Sequence, residues 1–240
     1  MRTLWVLLNM IVATVPLSIV VMVAALFGVR GRIYDDVARV WCRWFLWASG
    51  TRVRIEGYEN IHEERPQVVA SNHQSWYDVF ALAANMPGSF KFVAKKELGR
   101  IPFFGWGWRA AGHISVDRSD TQSAIRSLEK AKQTMLREHA KVVIFPEGTR
   151  SPTGELLPFK KGAFMLAIHA GVEIVPVGST GGRTILRKGD WRIRRGEITL
   201  RIGEPIPTAG YTAETRDELV ARVRAEIERL IRPVPSTANA

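Results

Sequence analysis

The stretch that decides the fold is Ser71-Asn72-His73-Gln74-Ser75-Trp76-Tyr77-Asp78, which joins two apolar segments. Residues 68–70, Val-Val-Ala, predict a buried strand, and residues 79–83, Val-Phe-Ala-Leu-Ala, predict a helix. His73 therefore lies on a strand-to-helix turn, with Asp78 in the first helical turn. Because such a turn can bring these two side chains together, the carboxylate could hold the imidazole as a general base that takes a proton from an alcohol.

The same residues allow a purely structural interpretation. Ser75 and Asp78 have the spacing of a capping box, in which Ser75 caps the helix and the acid three residues later reaches back to it. Asp78 would then only start a helix. His73 and Asp78 alone do not decide between the two interpretations.

Composition narrows the class of protein. The chain has 240 residues, which suits one domain or one domain plus a membrane element, and 46% are hydrophobic. Lys and Arg exceed Asp and Glu by 34 − 23 = 11, which favours a polyanionic partner such as nucleic acid, an anionic membrane or a phosphorylated substrate. The single cysteine, Cys42, excludes an internal disulfide and a Cys-based zinc site.

The N-terminus predicts a membrane helix. No charged residue lies between Arg2 and Arg30, and as a helix these 27 positions would be about 40 Å long, longer than the ~30 Å hydrocarbon core. Pro16 could kink the helix, and both a full span and a re-entrant segment stay open. If it spans, Arg30 and Arg32 place the following domain on the cytoplasmic side. An apolar run of this length argues against a nucleic-acid partner.

Residues 33–49 predict an amphipathic helix. We expect it to lie on the bilayer, because its apolar stripe is aromatic and adjoins the apolar run, although an ordinary core helix is the alternative. The residues assigned to the stripe are Ile33, Val37, Val40, Trp41, Trp44, Phe45 and Ala48, and those assigned away from it are Asp36, Arg39 and Arg43.

The remaining chain alternates predicted strands and helices, which indicates an α/β fold with a mainly parallel sheet flanked by helices. Strands are predicted at residues 51–56, 68–70, 90–94, 113–116, 141–145, 174–177 (broken by Pro176) and 198–202. Helices are predicted around residues 124–135 (capped by Ser119 or Asp120), at 162–170 and at 219–231. We assign residues 1–50 to membrane-anchoring helices, 51–232 to the catalytic domain and 233–240 to a disordered tail.

A second chemical segment, Phe145-Pro146-Glu147-Gly148-Thr149-Arg150-Ser151, follows the predicted strand at 142–144. Ligands gather at the carboxyl ends of parallel strands, so this segment, the His73 turn and Arg118 could share one cleft. Gly148 permits backbone N–H groups to approach an anion, Arg150 offers a planar fork for phosphate, and Glu147 could accept hydrogen bonds from a polyol. The alternative is a simple turn with Arg150 solvated.

Together these segments resemble the glycerolipid acyltransferase family, and most closely its bacterial 1-acyl-sn-glycerol-3-phosphate acyltransferases. Residues 72–78 are similar to the family's histidine–four residues–aspartate motif and residues 145–151 to its phosphate-site motif. Residues 96–105 and 112–118 are similar to the intervening block, and 174–177 to the last, apolar one. Ser115 departs from the aromatic or bulky apolar residue that is usual there.

The resemblance implies transfer of a fatty acyl group from a thioester of acyl carrier protein or coenzyme A to the sn-2 hydroxyl of lysophosphatidic acid. His73 would be the base and Asp78 its partner, with no metal and no cofactor. The substrate-binding residues it implies are Asn72, Lys95, Arg118, Glu147, Gly148, Thr149 and Arg150. It also implies an anionic bilayer as a partner and a catalytic domain on the cytoplasmic face of the inner membrane. A different lysolipid acceptor, such as lyso-ornithine lipid, and an inactive lipid-binding relative remain alternatives.

Overall fold

The computed structural model describes residues 1–29, 31–117 and 121–232. Arg30, Arg118, the predicted helix cap at Ser119 or Asp120, and the predicted tail at residues 233–240 lie outside the described residues.

Helices and strands alternate after the N-terminal helices, as predicted. The helices are α1 Arg2–Leu26, α2 Ile33–Ser49, α3 Trp76–Asn85, α4 Phe104–Ala110, α5 Thr121–Glu138, α6 Gly162–Ala170, α7 Gly182–Ile185 and α8 Arg216–Ile231, with 3₁₀ turns at Tyr58–Asn60 and Lys96–Arg100. The strands are β1 Thr51–Glu56, β2 Val68–Ser71, β3 Phe90–Lys95, β4 Ile114–Val116, β5 Lys141–Ile144, β6 Ile174–Thr180 and β7 Gly196–Ile202.

The described strands form one seven-stranded sheet in the order β1-β7-β6-β2-β5-β3-β4. Only β6 and β7 run antiparallel among these neighbours, so the predicted mainly parallel sheet is confirmed. Because β6, β2 and β5 are adjacent and parallel, their carboxyl ends meet at one edge of the sheet. The loops that follow these three strands therefore lie side by side.

The sheet is covered on both faces, and the alternation of side chains along a strand divides the core in two. Val69 packs in the core shared with Phe45 of α2 and Phe80 of α3. Its neighbour Val68 packs in the opposite core, with Val223 of α8. The central strand thus needs apolar residues at successive positions, which explains its uninterrupted apolar sequence.

Pro176 does not break β6, which corrects the prediction. Its missing N–H costs little because Pro176 lies where the antiparallel pairing with β7 ends, one residue before the paired Val177. Its carbonyl still accepts a hydrogen bond from the Gly203 N–H at 2.9 Å.

The apolar stripe predicted for α2 is divided between two surroundings. Val40 and Trp44 are exposed, as a bilayer-facing side requires, whereas Phe45 and Ala48 are buried against the domain. Helix α2 is therefore at once a core helix and a helix with an exposed apolar face.

Arg39, predicted only to lie off the apolar stripe of α2, is buried in the structure. Its guanidinium donates hydrogen bonds to the backbone carbonyls of Met86 and Gly88 beyond the end of α3 and contacts the Asp36 carboxylate. The sequence pattern did not indicate this burial, because hydrophobic periodicity does not register a charge that satisfies distant carbonyls.

Helix α1 is continuous through Pro16 and lies antiparallel along α2. The Trp5 indole donates to the Ala48 carbonyl at 3.2 Å, and the Tyr34 hydroxyl donates to the Val29 carbonyl at 2.6 Å. Helix α1 is long and apolar enough to cross a membrane.

The amphipathicity of α1 is inverted relative to a helix of a soluble protein. Three of its polar residues, Thr3, Asn9 and Ser18, are buried against the protein. Its exposed large apolar side chains include Leu4, Leu8, Ile11, Val12, Ile19, Val20, Val23 and Leu26. Soluble proteins rarely expose an apolar surface of this size to water, so it indicates a binding surface for a membrane or another protein.

Replacing Arg39 by Met tests the buried guanidinium. The variant leaves carbonyls of Met86 and Gly88 without donors, so we expect a loss of about 1–3 kcal/mol in the free energy of unfolding, measured by denaturant titration in detergent. Arg52→Met, at an exposed position on β1, is the control and should change stability little. Equal stability of the two variants would contradict the assigned role of Arg39.

Candidate active site

The predicted pairing of His73 with Asp78 is present in the structure. The Nδ1 atom of His73 lies 3.2 Å from Oδ2 of Asp78. His73 belongs to the turn after β2 and Asp78 to the first turn of α3, and the Asp78 side chain is fully buried. The His73 side chain keeps 12% of its surface exposed, so the imidazole remains partly open to the surroundings.

Asp78 also starts the helix, so both interpretations of the sequence hold at once. Its Oδ2 accepts backbone N–H bonds from Gln74 at 2.6 Å and Ser75 at 2.7 Å, and the Ser75 hydroxyl accepts from the Tyr77 N–H, completing a capping box. A single carboxylate thereby closes the turn and contacts the imidazole.

The surroundings of Asp78 fix the tautomer of His73. Oδ2 of Asp78 accepts two backbone N–H bonds and Oδ1 accepts from the Ser179 hydroxyl, so the carboxylate acts as an acceptor and the Nδ1 of His73 carries the hydrogen. The Nε2 atom then keeps its lone pair and can accept a proton. Phe145 stacks on the imidazole at 4.0 Å between centroids and 19° between planes, which fixes the ring's orientation.

The Glu147 carboxylate joins the turn that carries His73 to the loop that follows β5. Its Oε1 accepts from the His73 N–H at 2.7 Å and its Oε2 from the Leu157 N–H at 3.0 Å. Glu147 is 3% exposed, and this burial raises the pKa of the carboxyl group. The predicted contact of Glu147 with a polyol does not match this geometry, since both oxygens serve the backbone.

Arg150 has the surroundings expected of a residue that binds phosphate. Its guanidinium lies over the Trp76 ring, 5.1 Å from the centroid, and within the described residues it forms no ion pair. Burial lowers the pKa of Arg150, while the nearby Asp78 opposes that shift. An arginine held by an aromatic face and lacking a carboxylate partner is ready to bind an anion.

The loop that carries Arg150 has an unusual backbone. Gly148 has φ +70°, and a Cβ there would lie 2.9 Å from the Lys160 side chain, so glycine fits both the conformation and the space. The Thr149 hydroxyl and the Arg150 carbonyl both accept from the Lys188 ammonium, at 3.2 and 2.9 Å.

Two other predicted substrate ligands have different surroundings. Lys95 is exposed at the carboxyl end of β3, at the same edge of the sheet as His73. Asn72 is fully buried, and its side-chain amide pairs with the backbone of Ser179 at 2.6 and 2.9 Å. Asn72 thus joins β2 to β6, which fits a positioning role better than the predicted substrate contact. Arg118 lies outside the described residues.

A family model described as Acyltransferase matches residues 52–180, more than half of the chain. The matched segment contains His73, Asp78 and the Arg150 loop. The chain belongs to the acyltransferase family.

Named relatives of this acyltransferase cover most of its length. Human 1-acyl-sn-glycerol-3-phosphate acyltransferase alpha is 34% identical over 220 residues, 91% of this chain and 78% of that protein. The 1-acyl-sn-glycerol-3-phosphate acyltransferase of Pseudomonas aeruginosa is 33% identical, over 90% of this chain and 89% of that one. The crystal structure of the 1-acyl-sn-glycerophosphate (LPA) acyltransferase PlsC from Thermotoga maritima matches with a TM-score of 0.77 and 27% identity, covering both chains fully.

Sequence reasoning missed two residues that support Asp78 in this acyltransferase. The Ser179 hydroxyl donates to Oδ1 of Asp78 at 3.0 Å, and Gly182 leaves room for that same oxygen. The only signal was a Ser-Thr-Gly-Gly run after an apolar strand, at residues 179–182. In residues 1–29, 31–117 and 121–232, no three His, Cys, Asp or Glu side chains could share a metal ion; the expected absence of a metal or cofactor stays a prediction.

Gly182→Ala tests how closely Asp78 is enclosed. The new Cβ would lie 2.5 Å from Oδ1 of Asp78, which must move and take the imidazole with it. A displacement of about 1 Å near reacting groups can cost on the order of 10²-fold in rate, so we expect kcat to fall by that order. Gly162→Ala is the control, because its Cβ meets only Leu128 at an ordinary 3.6 Å; equal kcat values for the two variants would contradict the account.

Proposed function

We propose that this acyltransferase moves a fatty acyl group from a thioester to the sn-2 hydroxyl of 1-acyl-sn-glycerol 3-phosphate, giving phosphatidic acid. The observation that carries the proposal is the His73–Asp78 pair at the sheet edge that also presents Arg150. Relatives that carry this activity in their names cover most of the chain.

His73 is the proposed general base. Its Nε2 takes the proton of the acceptor hydroxyl while that oxygen attacks the thioester carbonyl. Asp78 stabilises the imidazolium that forms. When the tetrahedral intermediate collapses, the carbon–sulfur bond breaks and the imidazolium returns the proton to the leaving thiolate. The substrate alcohol is itself the nucleophile, so the mechanism needs no covalent enzyme intermediate.

Arg150 is the proposed main ligand of the acceptor phosphate. A phosphate monoester carries about −1.5 to −2 charges near neutral pH, so one guanidinium does not neutralise it. Lys95 is exposed at the same edge, and Arg118 follows β4 in sequence, so both remain proposed contributors. Thr149 would offer its hydroxyl group. Gly148 would contribute through the shape of the loop, because its own N–H donates to the Phe145 carbonyl at 2.9 Å.

We propose a bilayer with anionic lipids as a further partner. The exposed apolar faces of α1 and α2 support this, because lipid would cover them while acceptor and product pass laterally. The cations that follow the apolar run in sequence, Arg30 and Arg32, support the cytoplasmic face of the inner membrane. The proposed donor is a thioester of acyl carrier protein or coenzyme A.

His73→Ala tests the reaction directly. Loss of a general base costs about 10²- to 10⁴-fold in rate, so we expect kcat for acyl transfer to lysophosphatidate to fall by that range with vesicle binding kept. His169→Ala, an exposed position on α6, should retain full turnover. Near-normal turnover of His73→Ala would end the assignment.

Arg150→Ala tests the acceptor. A charge-assisted hydrogen bond contributes about 1.5–3 kcal/mol, so we expect the KM for lysophosphatidate to rise about 10- to 100-fold. The measurement uses purified protein, a labelled acyl thioester and a panel of lysolipids with and without a phosphate monoester. The variant should lose its preference for the phosphate monoester and keep its KM for the donor. A raised KM for the donor alone would place the phosphate site elsewhere, and wild-type preference for a lysolipid without phosphate would reject the proposed acceptor.

A further inference from the structure

A strongly basic loop connects the candidate active site to the start of α1. We name residues 186–195 the basic loop; their sequence is Leu-Arg-Lys-Gly-Asp-Trp-Arg-Ile-Arg-Arg. It holds five cationic side chains and one carboxylate, so its formal charge is 5 − 1 = +4. The proposed acyl transfer makes no use of most of these charges.

The basic loop is fixed to the catalytic turn and to the phosphate-site loop. The Leu186 carbonyl accepts from the hydroxyl of Ser75, two residues after His73, at 2.8 Å. The Lys188 ammonium donates to Thr149 and to the Arg150 carbonyl. This end of the basic loop therefore has a defined position beside the candidate active site.

The other end of the basic loop is fixed to the N-terminal helices. The Ile193 N–H donates to the Thr3 hydroxyl at 3.1 Å, at the start of α1. The side chain of Arg195 lies against Gly50, the residue that ends α2. Within the loop, the Arg194 guanidinium donates two hydrogen bonds of 3.1 Å to the Asp190 carboxylate.

The outward side of the loop combines cations with exposed indoles. Trp191 is 67% exposed with the Arg192 guanidinium 5.9 Å from its ring centroid. At the end of the basic loop, Arg195 lines a cleft between α1 and α2 together with two exposed tryptophans, Trp5 and Trp47. Arginines next to indoles at the border of an apolar surface are typical of the membrane–water interface.

We propose that the basic loop and this cleft form a binding surface for the headgroups of anionic phospholipids. Headgroup phosphates would meet Arg187, Arg192 and Arg195, which form no ion pair among the described residues. The acyl chains of the same lipids would cover the adjoining outer face of α1. Charge complementarity and continuity with that apolar face favour lipid over an acidic protein, which would leave the exposed leucines of α1 in water.

This arrangement would set the height of the active site relative to the headgroup layer. The basic loop contacts the headgroups on one side and holds the loop of Arg150 on the other. A lysophosphatidate in the same headgroup layer would then have its phosphate at the level of Arg150. This explains why one loop contacts both the active site and the N-terminal helices.

The test compares two full-length variants of equal charge in flotation assays. One carries Arg187→Gln, Arg192→Gln and Arg195→Gln, and the control carries Arg65→Gln, Lys130→Gln and Arg222→Gln at exposed positions away from the loop. Vesicles are phosphatidylcholine alone or phosphatidylcholine with phosphatidylglycerol. Since each near-surface cation contributes about 1 kcal/mol, we expect the loop variant to lose roughly 10- to 100-fold of its partitioning onto anionic vesicles only.

The outcomes separate the alternatives. Equal binding of both variants to anionic vesicles overturns the inference. It is also overturned if the loop variant binds vesicles normally and only its KM for acyl carrier protein thioesters rises, because that result would assign the loop to an acidic protein. If the triple variant does not fold by circular dichroism, Arg192→Gln alone and the wild-type protein in high salt replace it; anionic preference unaffected by both overturns the inference.

The inference rests on the proposed membrane association, and the two fail differently. Wild-type protein that floats with neither kind of vesicle ends the membrane proposal. Wild-type protein that prefers anionic vesicles, with a loop variant that does so equally, ends only the assignment of the basic loop. The variant Arg187→Lys, Arg192→Lys and Arg195→Lys keeps the charge and should bind anionic vesicles as the wild-type protein does.

Discussion

The buried carboxylate of Asp78 is the constraint on which the site depends. It is fully buried, and an ionised carboxylate is stable there only if hydrogen-bond donors surround it. The backbone N–H groups of Gln74 and Ser75, the Ser179 hydroxyl and the Nδ1–H of His73 supply those donors. Meeting this requirement folds the turn, starts α3, docks the end of β6 and orients the imidazole. Catalytic geometry and local folding therefore depend on the same bonds.

The parallel sheet brings the other parts of the site to this carboxylate. Strand β2 lies between β5 and β6, so the loops after all three emerge at one edge. The loop after β5 places Phe145 on the imidazole, and Glu147 bonds back to the His73 backbone. Burial of the Glu147 carboxyl group is tolerated because two N–H groups satisfy it. The phosphate-site loop and the catalytic turn are consequently held as one unit.

Much of this follows from sequence, because strands and the loops after them are local patterns. The sheet class, the strand positions and the pairing of His73 with Asp78 were all predictable. The roles of Asn72 and Ser179 were not, since they pair residues more than a hundred positions apart. The predicted break at Pro176 was wrong and the burial of Arg39 was missed for the same reason. Each depends on distant partners, the end of the β7 ladder and the carbonyls after α3.

Nitrogen-15 NMR of the His73 imidazole in the full-length protein, in detergent at a pH where the ring is neutral, tests the central claim most directly. The account predicts a protonated Nδ1 whose proton is shifted downfield by Asp78, and an unprotonated Nε2. Asp78→Asn should abolish the downfield proton and mix the tautomers. A wild-type ring protonated at Nε2, or an Nδ1 proton unchanged in Asp78→Asn, would contradict the claim that this carboxylate prepares the base.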